Sequence, residues 1–182
     1  LRRYIQPDDG LIGVNKHGNS WNDPDLKVMV HGFIGTDING NIRAYQTLPY
    51  NYKAWHCGGT GNSTHVSWEI CEDDLTSEKY FNEVYQVAVD VAYQFCKEFD
   101  YDESCICDHS EGNKRGIASN HGDVSHWFSR FDKTMNDFRR DVGLKLKGSD
   151  SMNVKYGQTG EDVKRLQSEL NKLGYRLVVD GS

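Results

Sequence analysis

Between residues 26 and 146 the chain alternates short runs of Val, Ile and Phe with two longer stretches whose apolar positions recur every three or four residues. Residues 26–35 (LKVMVHGFIG) and 42–49 (IRAYQTLP) read as strands, and the turn-forming Asp37-Ile-Asn-Gly40 between them predicts a β-hairpin. Residues 64–71 (THVSWEIC) predict a third strand. Its period of two sends Val66, Trp68 and Ile70 to one face and His65, Ser67, Glu69 and Cys71 to the other. Residues 77–99 predict a helix of about six turns, with Phe81, Val84, Ala88, Val91 and Phe95 forming one apolar stripe. Residues 104–107 (SCIC) read as a short strand that ends at His109, and residues 125–131 as a helical turn anchored by aromatics. A second helix follows over 132–146, with Met135, Phe138 and Val142 on one side. Strands alternating with helices imply a three-layer α/β domain, a central mixed sheet flanked by helices.

The pattern changes on either side of this block. Residues 1–24 carry two turn-forming clusters and read as loop, with His17 facing solvent. Gly148-Ser-Asp-Ser151 reads as a linker. Beyond it, Thr159-Gly-Glu-Asp162 is a capping-box pattern that opens a helix with Val163, Leu166, Leu170 and Leu173 on one stripe, then a short strand over 175–179. One helix and one strand cannot bury their apolar faces alone, so the final segment is expected to be part of a larger module. The expected organisation is a domain over 1–146, a linker over 147–153 and the opening of a second module over 154–182.

A net charge of −6 without a Lys or Arg run argues against nucleic acid or an anionic membrane as partner. No apolar run approaches the roughly 18–20 residues of a membrane span. The five cysteines are an odd, scattered set and do not form a disulfide framework. Cys71 and Cys96 read as small buried apolar residues. Cys105 and Cys107 alternate on the expected strand and so point to opposite faces.

Candidate chemistry concentrates in one stretch. His109 ends an expected strand, and a Gly-, Ser- and Asn-rich loop then brings His121 and, two positions on, Asp123. An imidazole on a rigid element plus N and O donors on a loop is the set a zinc site needs, and surface polar residues on a turn are the alternative reading of the same spacing. Glu69 is a carboxylate inside an otherwise apolar strand, costly unless it is paired or faces a polar cleft. The aromatic, glycine-punctuated loop over 50–63 (YNYKAWHCGGTGNS) suits either a sugar- or peptide-binding rim or a cap on the core. His31, inside the first strand, is either a hydrogen-bonded core histidine, the favoured reading, or a group lining a cleft.

Five motifs together carry a resemblance: VHGFIG (30–35), YQTLP (45–49), AWHCGG (54–59), THVSWEICED (64–73) and HSEG…GIASNHGD (109–123). In these the chain resembles the zinc-dependent N-acetylmuramoyl-L-alanine amidases of phages and bacteria, the family that includes peptidoglycan recognition proteins. Residues 154–182 resemble the opening of a peptidoglycan-binding helical module, and catalytic domain plus wall-binding module is a common endolysin and autolysin layout. The resemblance implies that His109 and Asp123 are zinc ligands. It also implies that Glu69 is the acid that deprotonates water and that His121 faces the oxyanion. Trp55, His56 and Asn62 are expected to wall the substrate groove. The family's first zinc histidine, on an opening strand, has no counterpart here, and VHGFIG matches the strand after it.

The implied activity is hydrolysis of the amide between N-acetylmuramic acid and L-alanine in bacterial peptidoglycan. The implied cofactor is Zn2+, and the expected setting is a monomer outside the cell or at the wall. A non-catalytic wall-binding protein is the alternative, motivated by the missing histidine. A glycosidase needs two carboxylates flanking a groove, and Glu69 and Glu72, three apart at a strand end, are expected to face opposite ways.

Overall fold

The computed structural model describes residues 27–37, 39–72, 74–149, 157–172 and 176–182. His17 and the loop expected over 1–24 lie outside them. The chain divides into two compact units between Gly143 and Leu144.

Three strands form the sheet of the first unit: β1 (Gly32–Thr36), β2 (Ile42–Gln46) and β3 (Trp68–Ile70), in the order β2-β1-β3. β1 and β2 are the expected antiparallel hairpin, with Phe33 opposite Tyr45. At its tip the Asp37 carboxylate accepts the backbone N–H of Asn39 and of Asn41, both at 2.8 Å. β1 runs parallel to β3, placing Phe33 beside Glu69. The sheet is therefore mixed, and the fold is α/β as expected.

Regular pairing is shorter than the apolar run promised. Before Gly32 the backbone changes partners. His31 N–H donates to the carbonyl of Ser67, the His31 carbonyl accepts from Thr47 N–H, and Met29 exchanges two hydrogen bonds with Trp55. Gly32 is required by close packing: a Cβ there would lie 2.4 Å from the Trp68 ring. His31 is fully buried, its Nε2 donating to the Tyr52 carbonyl at 2.9 Å, which makes it the structural histidine expected.

α1 is a single turn, Gly61–Thr64, and α2 runs from Glu78 to Phe99. Ser77 caps α2 by accepting from Tyr80 N–H, and Asp100 closes it in the left-handed region at φ 55°. Phe81, Val84 and Ala88 are buried as the stripe predicts, joined by Tyr85, Val89 and Cys96 from the adjacent column. α2 lies against β1 and β2. Phe81 is the hub of the aromatic core, stacked on Phe131 at 4.3 Å and edge-on to Trp127 and Phe128.

The strand expected over 104–107 is not formed. Glu103–Cys105 is a 3-10 turn capped by Asp102, and His109 opens helix α3 (His109–Lys114) instead of ending a strand. The apolar alternation Cys-Ile-Cys was too short to outweigh two capping aspartates, each of which satisfies an orphan N–H of the turn it precedes. Asp108 forms a reciprocal capping box with Glu111. α4 (Ser125–Phe128) and a following 3-10 turn match the expected aromatic anchor.

α5 spans Met135–Ser149, three residues later at both ends than expected. Thr134 and Asp137 set the start, since Thr134 N–H reaches the Asp137 carboxylate and Asp137 N–H reaches the Thr134 hydroxyl.

In the second unit α6 covers Glu161–Lys172. The strand expected over 175–179 is not present among the described residues 176–179. Two amide side chains take the place of a partner strand. Asn171 donates to and accepts from the Leu177 backbone, and the Gln167 carbonyl accepts from Asp180 and Gly181 N–H.

Candidate active site

The first unit holds a cavity whose walls include Glu69, Glu72, His109, Asp123 and His126. β3 carries Glu69, and Glu72, two residues past its end, borders the same cavity. The two carboxylates expected to face opposite ways thus line one space, close enough for Glu72 to act on Glu69. Burial, then the nearby carboxylates of Asp123 and Glu72, push the Glu69 carboxyl up to about 7. Glu72 is tied off, its Oε1 lying 2.7 Å from His126 Nε2, while His126 Nδ1 lies 3.2 Å from the Gly122 carbonyl.

His109 is the first residue of α3, and its orientation is fixed twice by Asp123. Its N–H donates to the Asp123 carbonyl at 3.2 Å, and its Nδ1 lies 3.2 Å from Asp123 Oδ2. Its Nε2 is 3.2 Å from Ser119 Oγ, which is also 3.1 Å from His121 Nδ1. The Ser119 hydroxyl donates to the Cys57 carbonyl at 3.0 Å.

A hydroxyl has one proton and two lone pairs. With its proton on the Cys57 carbonyl, Ser119 can accept from both His109 Nε2 and His121 Nδ1. In that pattern His109 Nδ1 faces the Asp123 carboxylate.

The separation suits zinc. Two donors each about 2.0–2.1 Å from a tetrahedral ion lie about 3.3 Å apart. The 3.2 Å between His109 Nδ1 and Asp123 Oδ2 matches that edge length, and it is equally the length of a direct hydrogen bond between the two groups. Among the described residues no third His, Cys, Asp or Glu joins them to make a group of three.

The rest of the expected site is distributed. His121 is exposed and lies tilted against the His109 ring at 4.7 Å between centroids, outside the cavity wall. His56 lines the cavity. Its Nε2 is buried without a hydrogen-bond partner, and burial, with the His31 ring nearby, lowers the group to about 4. Asn62 also lines it, but its side-chain oxygen is occupied by the N–H groups of His56 and Cys57, both at 2.9 Å. Trp55 is half exposed and is not part of the wall. Sequence reasoning missed Ser119, Asp108 and the Glu72–His126 pair. The Ser119-Asn-His121-Gly-Asp123 spacing was a usable signal for Ser119, since a hydroxyl two residues from a histidine on a tight loop can reach its ring. Buried Asp108 accepts both Glu111 N–H and the Ser125 hydroxyl, which joins α3 to α4.

The chain belongs to the N-acetylmuramoyl-L-alanine amidase family, whose sequence model matches residues 5–125. Among solved structures it is similar to the hydrolase AmiA of Staphylococcus aureus, crystallised with its ligand. That match has 18% identity and a TM-score of 0.55, covering 65% of this chain and 58% of the other. The likeness is one of fold, and the chain spans less than two thirds of that relative. No curated protein matches the chain.

Proposed function

We propose that this chain hydrolyses the amide between the lactyl group of N-acetylmuramic acid and L-alanine in bacterial peptidoglycan. The observation that carries the reading is a carboxyl held at about 7, Glu69, in the same cavity as the His109–Asp123 donor edge. A general base works best with its pKa near the operating pH, and family membership supplies the substrate class.

His109 Nδ1 and Asp123 Oδ2 would hold Zn2+, which when bound supplies Lewis-acid polarisation of the scissile carbonyl and acidifies water. Glu69 takes the proton of the attacking water and passes it to the leaving alanine nitrogen. Ser119 holds the two histidine rings in one tautomer each. With His121 Nδ1 committed to Ser119, Nε2 is the atom through which His121 would meet the oxyanion. His56 and the Trp55 loop would contact the glycan or peptide stem beside the cavity.

Residues 154–182 we read as part of a wall-binding module, and the working protein as a monomer acting at the wall outside the cytoplasm, as an endolysin or autolysin. No described helix is long and apolar enough to cross a membrane. The test is product analysis on purified peptidoglycan with zinc supplied. New alanine amino ends without new reducing sugar ends are expected. New sugar ends would refute the amidase. Wall retention with no new ends would make the chain a binding protein.

A further inference from the structure

Two thiols that also line the cavity stand face to face. Cys96, in the last turn of α2, is fully buried, and its Sγ lies 3.9 Å from Sγ of half-buried Cys105. The loop between them is braced at both ends. Tyr101 N–H donates to the Cys96 carbonyl at 2.8 Å, left-handed Asp100 ends the helix, and Asp102 caps the turn that carries Cys105 through Ser104 N–H at 2.8 Å. The Cys105 N–H itself donates to the Asp102 carbonyl at 3.3 Å. The two sulfurs are thus held as neighbours by the backbone. A disulfide bond is about 2.05 Å long, so bonding asks the two sulfurs, 3.9 Å apart, to approach by about 1.9 Å.

We propose that Cys96 and Cys105 are an oxidative cross-link site, which joins the C-terminus of α2 to the segment that delivers His109 four residues later. The co-reactant is a disulfide oxidant. The Cys105 thiolate, the more accessible of the two, attacks one sulfur of the oxidant and expels the other as a thiolate. The Cys96 thiolate then attacks the Cys105 sulfur, forms the internal disulfide and expels the second thiolate. The two thiol protons end on the two leaving groups, and the oxidant gains the two electrons the cysteines lose. Burial pushes Cys105 up and Cys96 to about 12. Exchange at neutral pH is accordingly slow and quickens with alkali.

The cross-link would add a covalent tie between the α2 terminus and Cys105 to the hydrogen bonds that brace the loop. From Ile106, whose carbonyl accepts from Arg139, the chain runs directly into the Asp108 cap and His109. Oxidation therefore stiffens the approach to the proposed donor edge without touching its atoms.

The test is incubation of the full chain with oxidised glutathione at pH 8.5, alkylation in denaturant, and peptide mapping by mass spectrometry. A Cys96–Cys105 peptide lighter by two hydrogens is expected. The melting temperature of the oxidised protein should rise by about 5 °C or more. Cys105→Ser, a near-isosteric change at a half-buried position, should abolish both the linked peptide and the oxidant-dependent shift. Glutathione retained on Cys105 with Cys96 still alkylated, or an unchanged thermal shift in Cys105→Ser, would overturn the proposal. So would linkage of either residue to Cys57, Cys71 or Cys107.

Discussion

Replacing Glu69 by Gln should stabilise the metal-free protein while abolishing hydrolysis, and the stabilisation should depend on pH. The folded protein holds this carboxyl at about 7 against an ordinary value of 4.5. The native state thus keeps a proton that the unfolded chain releases, so the carboxyl costs nothing well below 4.5. Its cost grows as pH rises from there and is complete above 7. With 1.36 kcal/mol per unit, the penalty is about 1 kcal/mol at pH 5 and about 3 kcal/mol at pH 8. Gln carries no charge and should recover most of that difference, about 2 kcal/mol. The amide's own need for partners subtracts equally at both values. Urea unfolding of both proteins in the presence of a chelator, at pH 5 and at pH 8, measures it. Added zinc should shrink the gain, because a cation at His109 and Asp123 favours the ionised Glu69. An equal stability difference at the two pH values would refute the reasoning. Hydrolysis by the Gln variant at the parent rate would remove Glu69 from the mechanism.

Ser119→Ala removes the one acceptor shared by His109 and His121, and should weaken zinc binding about 10–100-fold. Competition with a chelating dye reads this, and affinity within twofold of the parent would contradict it. Arg139 grips Glu111 through two 2.8 Å hydrogen bonds and also reaches the Ile106 carbonyl. Arg139→Ala should cost about 1–3 kcal/mol by denaturant unfolding. Arg139 holds the Glu111 carboxyl below 4.5, so the stability it brings is present above that value and lost as pH falls through the lowered one. The parent should therefore lose stability in acid more steeply than the Ala variant. Gly59→Ala should cost about 2 kcal/mol or more, because its Cβ would lie 2.3 Å from the Ile117 carbonyl oxygen and 2.7 Å from its carbon. A Gly59→Ala melting curve coincident with the parent's would show that the two loops can part freely.

The hairpin and α2 were legible because their signals are local. Asp37-Ile-Asn-Gly40 supplies its own turn chemistry, and Phe81, Val84 and Ala88 recur at the helical spacing of three and four. Ser104 to Cys107 was misread because alternation over four residues cannot compete with the hydrogen bonds of capping Asp102 and Asp108. Residues 176–179 were misread for a different reason. A strand exists only where another backbone offers partners, and around Leu177 and Asp180 the partners are the side chains of Asn171 and Gln167.

The chemistry divides along the same line. Sequence by itself determined which groups were available: a lone acid at Glu69, imidazoles at His109 and His121, and a carboxylate at Asp123. Residue identity and spacing express these directly. Only the tertiary structure decided that Glu72 shares the Glu69 cavity, that Ser119 serves two histidines at once, and that Trp55 lies off the wall. It also decided that Cys96 faces Cys105. Each of these depends on atoms brought together from separate segments, and the separations that set a pKa, a tautomer or a metal edge come only from packing.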